Sequence, residues 1–219
     1  MKNILLIIIT LGANVLIFQS CDNAKNRNNP GFPLTEIPQD DSIDFSPTMD
    51  SSLVQVMNTM LKNMAEMKMT GDFDIDFANM LLVHHHGVVD MTQIEISTGA
   101  DEKVKTIAQS IRDKQKKEIK ELQEFLNHHK PVKETSDDPN EEILTSIKNL
   151  RAKIKSIQWS GQTDKDFVLL MISHHECAMD LATQEVLTGH HVKLKLMSQN
   201  LIADQKKEIA ELRKWLAAH

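Results

Sequence analysis

Two stretches of the sequence, ninety residues apart, decide the fold. They read NMLLVHHHGVVDM at 79–91 and LLMISHHECAMDL at 169–181. Each carries adjacent histidines inside an apolar run whose apolar positions recur every three or four residues, which is the period of one helix face. The same pattern at a fixed distance predicts two copies of one helical unit. The matched histidines are His84 and His85 in the first stretch and His174 and His175 in the second.

The duplication extends over most of the chain without a gap. Residues 76–129 and 166–219 share 20 identities in 54 aligned positions. We therefore predict a first three-helix repeat at 51–129 and a second at 141–219, and an all-α fold in which the two halves pack about a pseudo-twofold axis as one helical bundle. The predicted helices cover about 51–69, 75–98 and 102–128, then 141–158, 165–188 and 191–217.

The composition agrees with helices and argues against one class of partner. The chain has only seven Gly and six Pro, no Tyr and twelve Met, and long unbranched side chains lose little rotamer freedom in helices. Its net charge is −6, and its lysines alternate with glutamates as on solvated helix faces. Because there is no basic patch with interleaved aromatic residues, nucleic-acid binding is not expected.

The N-terminus is typical of an exported protein. Residues 1–20 combine Lys2 with a short apolar run that ends in LIFQS, directly before Cys21. This order predicts a bacterial lipoprotein signal peptide and a lipid on Cys21, with an ordinary secretory signal or an uncleaved anchor as alternatives. Residues 21–50 are rich in Pro, Asn and Asp and predict a flexible tether. We expect a membrane-anchored protein of the cell envelope, periplasmic or on the surface.

The paired histidines have two interpretations. Adjacent side chains on a helix diverge by roughly 100°, so His84 faces the core and His85 lies beside it, and another helix must complete any site. The third helix of each repeat offers Gln and Glu on its apolar stripe. Histidine facing glutamate across a bundle either binds a metal ion or forms a metal-free network of hydrogen bonds. These partners are Gln115 and Glu118 in the first repeat and Gln205 and Glu208 in the second.

Sulfur donors favour copper among the metals. Methionines share helix faces with the histidines, and thioethers with imidazole are a ligand set for copper. Zinc is less favoured because the chain has no CxxC or HxxxH pair. The separate stripe of Met57, Met60, Met64 and Met67 is interpreted as core, because the second repeat has Ile or Leu at the same positions. The candidate thioether ligands are Met80, Met91, Met171 and Met179.

Catalysis is not expected. A di-iron carboxylate bundle needs Glu-x-x-His motifs, and neither repeat has one. Cys177 lies near His174, but Gly87 takes its place in the first repeat, and a thiol on an apolar helix face is poorly placed to attack a substrate. No catalytic residue is therefore predicted.

These residues resemble a known family. The segment MKMTGDFDIDFANMLLVHHHGVVDM followed by QKKEIKEL, and DFVLLMISHHECAMDLA followed by DQKKEIAELRKWL, are similar to the bacterial domain-of-unknown-function family 305. The resemblance implies a ferritin-like helical bundle, exported in many bacteria, in which some members bind copper through Met and His. It points to His84, His85, His174 and His175. Leu122 and Leu212 stand where the family often has Met, which reduces the number of thioethers.

The predicted function is binding of copper or another transition metal in the cell envelope, for buffering or resistance. The alternative is a metal-free helical lipoprotein that acts as an interaction or structural module. A homo-oligomer is compatible with this sequence, because bundle halves can exchange between chains.

Overall fold

The computed structural model describes residues 51–132 and 141–219. The predicted signal peptide, the tether and Cys21 lie outside these residues. The regular elements of the described part are all helices: α1 (Ser51–Ala65), α2 (Phe73–Thr98), α3 (Glu102–His128), α4 (Glu141–Ser156), α5 (Thr163–Thr188) and α6 (Val192–Leu216). The predicted all-α bundle of two three-helix repeats is confirmed. None of these six helices has the length and apolar character needed to cross a membrane.

The first helix is shorter than predicted. It ends at Ala65, whereas the apolar pattern continued to 69. The chain instead turns through Gly71, whose φ of 82° lies in the left-handed region that favours glycine. Asp76 accepts a hydrogen bond from the Gly71 N–H at 3.1 Å and so fixes this turn onto the start of α2. The second repeat has the same turn at Gly161, with φ of 76°.

Each repeat buries one face of each helix against its central helix. Helices α1 and α3 pack on α2, and α4 and α6 pack on α5. As the core interpretation of the methionine stripe predicted, Met57, Met60 and Met64 are at most 2% exposed, and Met67 is partly buried against them. Their counterparts in the second repeat are equally buried: Ile147, Leu150 and Ile154.

The two repeats meet through α2 and α5, which run antiparallel. Asp74, at the start of α2, accepts hydrogen bonds from the backbone N–H groups of residues 190 and 191 at 3.0 and 3.3 Å. Asp164, its counterpart at the start of α5, accepts from residues 100 and 101 at 3.1 and 2.8 Å. These reciprocal contacts place the pseudo-twofold axis between the middles of the two helices, where the histidines lie.

Candidate metal centre

His84 and His174 meet at the centre of the bundle. Both are 0% exposed, and Nε2 of His84 lies 3.2 Å from Nδ1 of His174. The apolar stripe of α2 carries His84 into the core, because Leu81 and Val88 on the same face are also completely buried. The stripe of α5 does the same for His174, so the axis brings the two equivalent imidazoles into contact.

Burial keeps both imidazoles neutral. Desolvation lowers the pKa of His84 well below its ordinary 6.5, and the positive charge that neighbouring histidines would carry lowers it further. Desolvation also lowers the pKa of His174 to about 3. A neutral imidazole is the form that binds a metal ion. The pair therefore has its coordinating form at neutral pH without losing a proton first.

One nitrogen of each central imidazole takes no part in the contact between the two rings. Nδ1 of His84 and Nε2 of His174 are buried, and neither has a hydrogen-bond partner among the residues that the structure describes. Buried polar atoms are nearly always paired, because an unpaired one costs about 1–3 kcal/mol. These two nitrogens are thus a cost to the fold.

The second histidine of each repeat faces a glutamate. Nε2 of His85 lies 2.8 Å from Oε2 of Glu118, and Nε2 of His175 lies 2.8 Å from Oε2 of Glu208. These are ion-pair distances, but neither ring nitrogen is aligned for a hydrogen bond with a group in the described ranges. Because adjacent side chains diverge on a helix, the two histidines of each repeat point in different directions. The structure accordingly places them in different pairs.

A lysine contacts the glutamate of one histidine–glutamate pair. Lys114 donates to Oε1 of Glu208 at 2.6 Å. Burial would raise the pKa of Glu208, but the contacts with His175 and Lys114 hold it below its ordinary value. The counterpart of Lys114 in the second repeat is Asp204, so the equivalent position carries an acid instead of a base. The pseudo-twofold symmetry is therefore broken at this point.

The remaining predicted residues lie in the same interior. Gln115 and Gln205 are each 2% exposed, and Oε1 of both lacks a hydrogen bond within the described part of the chain. Met80, Met91 and Met171 are completely buried in the core, whereas Met179 is half-buried. The predicted imidazole and carboxylate donors form three pairs. In residues 51–132 and 141–219, the one cluster of three such donors lies elsewhere, at Asp72, Asp74 and His129.

Sequence reasoning missed two buried acids. Glu95 and Glu185 are 0% exposed. Burial, followed by the adjacent Asp164, raises the pKa of Glu95 to about 8, and burial, followed by Asp74, raises that of Glu185 to about 9. Gly99 follows the last residue of α2, and its φ of −62° needs no glycine. A Cβ at this position would overlap the Glu95 carboxyl. A Glu four residues before a Gly in both repeats was the available signal.

The fold and the central histidine pair define a class: a tandem three-helix-repeat bundle with neutral imidazoles buried between its halves. The chain belongs to the family named Domain of unknown function (DUF305), whose model matches residues 44–126 and 74–216. This confirms the resemblance inferred from the motifs.

One solved structure supports the fold. It is the crystal structure of a DUF305 fragment from Deinococcus radiodurans, with 16% identity and a TM-score of 0.52, and the match covers 67% of this chain and 97% of that one. The comparison with curated proteins gave no match.

Proposed function

We propose that this protein binds a transition-metal ion, preferably copper, between its two repeats. We further propose that it buffers or detoxifies that metal in the bacterial cell envelope. One observation carries the proposal: His84 and His174 form a completely buried, neutral imidazole pair. The nitrogens that face each other are Nε2 of His84 and Nδ1 of His174.

The spacing of the pair fits ligands of one ion. Two nitrogens that each lie about 2.0 Å from a tetrahedral ion are roughly 3.3 Å apart, and the observed separation is 3.2 Å. An ion held by these two nitrogens would replace the hydrogen bond that now joins the rings. The spacing therefore supports one ion shared by the two imidazoles.

The surroundings favour a soft ion. Met80, Met91 and Met171 are buried in the core that contains the histidine pair, and thioethers with imidazole select Cu(I) over harder ions. The carboxylates of Glu118 and Glu208 contact the outer histidines instead. A site of few donors suits Cu(I), which is stable with low coordination numbers. When bound, the ion supplies no reaction here; the protein holds it.

The envelope location rests on the N-terminal sequence. A lipid on Cys21 would fix the bundle to a membrane, and the segment 21–50 would let it reach its surroundings. Copper that enters through the envelope would meet such a protein before the cytoplasm. The proposed role is thus storage close to the membrane, with the lipid and the metal ion as partners.

A second candidate is a metal-free interaction module. The contacts of His85 with Glu118 and of His175 with Glu208 can specify the packing of a core without an ion. Leu187, Val192 and Leu196 are 56–80% exposed near the α5–α6 turn, and exposed apolar side chains occur at protein contacts.

Copper retention separates the two candidates. The purified full chain is loaded with Cu(I) under reducing conditions, desalted and analysed for bound metal. We expect retention of copper by the parent and its loss in H84L/H174L. The matched control is H86A, because His86 lies on the same helix but is exposed and has Glu176 as its counterpart. Absence of copper from the folded parent would support the interaction module.

A further inference from the structure

A separate group of donors lies at one end of the bundle. Asp72 and Asp74 at the start of α2 are each 3% exposed, and His129 follows the end of α3. One donor atom of each lies within 4.8 Å of the other two, and Nε2 of His129 is 2.9 Å from Oδ2 of Asp72. Asp72 and His129 are 57 positions apart in sequence, so the cluster forms only when α2 and α3 pack together.

Backbone groups hold the two aspartates in place. Oδ1 of Asp72 caps α2 by accepting from the Ile75 N–H at 3.1 Å, and its Oδ2 accepts from the Val132 N–H at 2.7 Å. Asp74 accepts from the N–H groups of residues 190 and 191 across the repeat interface. Both carboxylates are therefore fixed by the fold before a ligand arrives, which lowers the ordering cost of binding.

A third carboxyl group, on α5, adjoins this cluster. Glu185 on α5 is 0% exposed and interacts with Asp74 and Asp72. Its two carboxyl oxygens accept no hydrogen bond from a donor group within the described ranges, and its partner is the carboxyl group of Asp74. The nearby basic residue, Lys195, donates a hydrogen bond to the carbonyl oxygen of Gly189 at 3.0 Å. Two carboxyl groups in contact in one buried corner need a proton or a cation between them.

The other end of the bundle shows that the fold does not require this cluster. The counterparts of Asp72 and Asp74 are Gln162 and Asp164, and Gln162 makes no side-chain cap. Glu95 is there, but the structure shows no three-donor cluster at that end of the described chain. The second repeat folds in the same way with Gln at position 162, so the extra acid is specific to one end.

We propose that Asp72, Asp74 and His129 form a binding site for a divalent transition-metal cation such as Zn²⁺, with Glu185 as a fourth ligand. Carboxylates with one imidazole are the donors of borderline and hard divalent ions, unlike the imidazole and thioether donors in the core. A cavity of about 560 Å³ adjoins the site and includes His129 and His191 in its lining. It provides an entry path from solvent. This site is independent of the proposed copper centre.

Zinc titration of the full chain tests the site. The parent for this experiment is H84L/H174L, so the central histidines do not contribute. We compare calorimetric Zn²⁺ binding with that of the same chain carrying D72N and H129A, and with a matched control carrying D164N and H219A at the opposite end. Asn is as good a helix N-cap as Asp, and circular dichroism of each variant checks the fold.

We expect one Zn²⁺ per chain in the parent and in the control, and at least tenfold weaker binding with D72N and H129A. Equal zinc affinity in all three chains, or no zinc bound by the parent, would overturn the site. Cu(I) retention by the wild-type chain and by its D72N/H129A variant is measured in parallel. Retention by both shows that the core site is intact, so failure of one proposal is distinguishable from failure of the other.

Discussion

His84 and His174 occupy equivalent positions in the two repeats, and their side chains contact each other across the pseudo-twofold axis, Nε2 to Nδ1, at 3.2 Å. Duplication of a helix that carries one inward histidine thus creates a buried pair. His86 is exposed and matched by Glu176, so the run of three histidines is not a three-nitrogen site. One histidine of each repeat enters the centre, and the next faces a glutamate.

Replacement of the central pair by leucine should not destabilise the metal-free protein. H84L/H174L removes two unpartnered buried nitrogens and supplies apolar side chains of similar size, and such replacements are nearly neutral or stabilising. We expect a free energy of unfolding within about 1 kcal/mol of the parent value, or above it. Chemical denaturation in the presence of a chelator measures this.

The single variant H84L is the control for this prediction. It leaves the buried imidazole of His174 without its partner, so it should be less stable than the double variant by roughly 1–3 kcal/mol. A large loss of stability in H84L/H174L, equal to the sum of the losses in H84L and in H174L, would show that the pair stabilises the core and does not serve to bind a ligand.

The fold should lose stability as the pH rises above neutrality. The pKa of Glu95 is raised to about 8 and that of Glu185 to about 9, mainly by burial. Their ordinary value is 4.5, so the unfolded chain gives up these protons first and binds fewer of them between pH 4.5 and 9. The free energy of unfolding therefore decreases with rising pH, by up to about 1.4 kcal/mol per unit and group.

E95Q/E185Q tests this dependence because a neutral amide has no proton to lose. Denaturation at several pH values between 6.5 and 9.5 should give a flatter profile for this variant than for the parent. E211Q, on the exposed face of α6, is the matched control and should keep the parent slope. An unchanged slope in E95Q/E185Q would contradict the assignment.

Cys177 should be inert in the folded protein. Its thiol is 1% exposed and lies 3.7 Å from the carbonyl oxygen of Ser146. Burial raises its pKa to about 12, so almost no reactive thiolate is present at pH 8. In a C21S variant, a thiol reagent at pH 8 should label Cys177 only after denaturation. Rapid labelling of the native protein would show that α5 opens readily or that this thiol is accessible.

The sequence predicted the features that depend on local periodicity. The helices and the inward direction of His84 follow from residues within one or two turns of each other. The end of α1 was predicted wrongly, because Met67 and Met69 continue the apolar pattern into the turn.

Features that depend on the antiparallel packing of α2 and α5 were not predictable from the sequence. Glu95 is next to Asp164, and Glu185 is next to Asp74, only because the ends of these two helices meet. The cluster of Asp72 and His129 depends in the same way on the packing of α3 beside α2. Periodicity identifies the buried face of a helix, but it does not identify the residue opposite.

Anomalous X-ray diffraction from crystals of the copper-loaded full chain shows whether His84 and His174 hold the metal. Data from either side of the copper absorption edge locate the metal without assumptions about its ligands. We expect a copper peak between α2 and α5, within coordinating distance of a ring nitrogen of both His84 and His174. A protein that retains copper but has its peak at another place, such as the end of the bundle near Asp72, would contradict it.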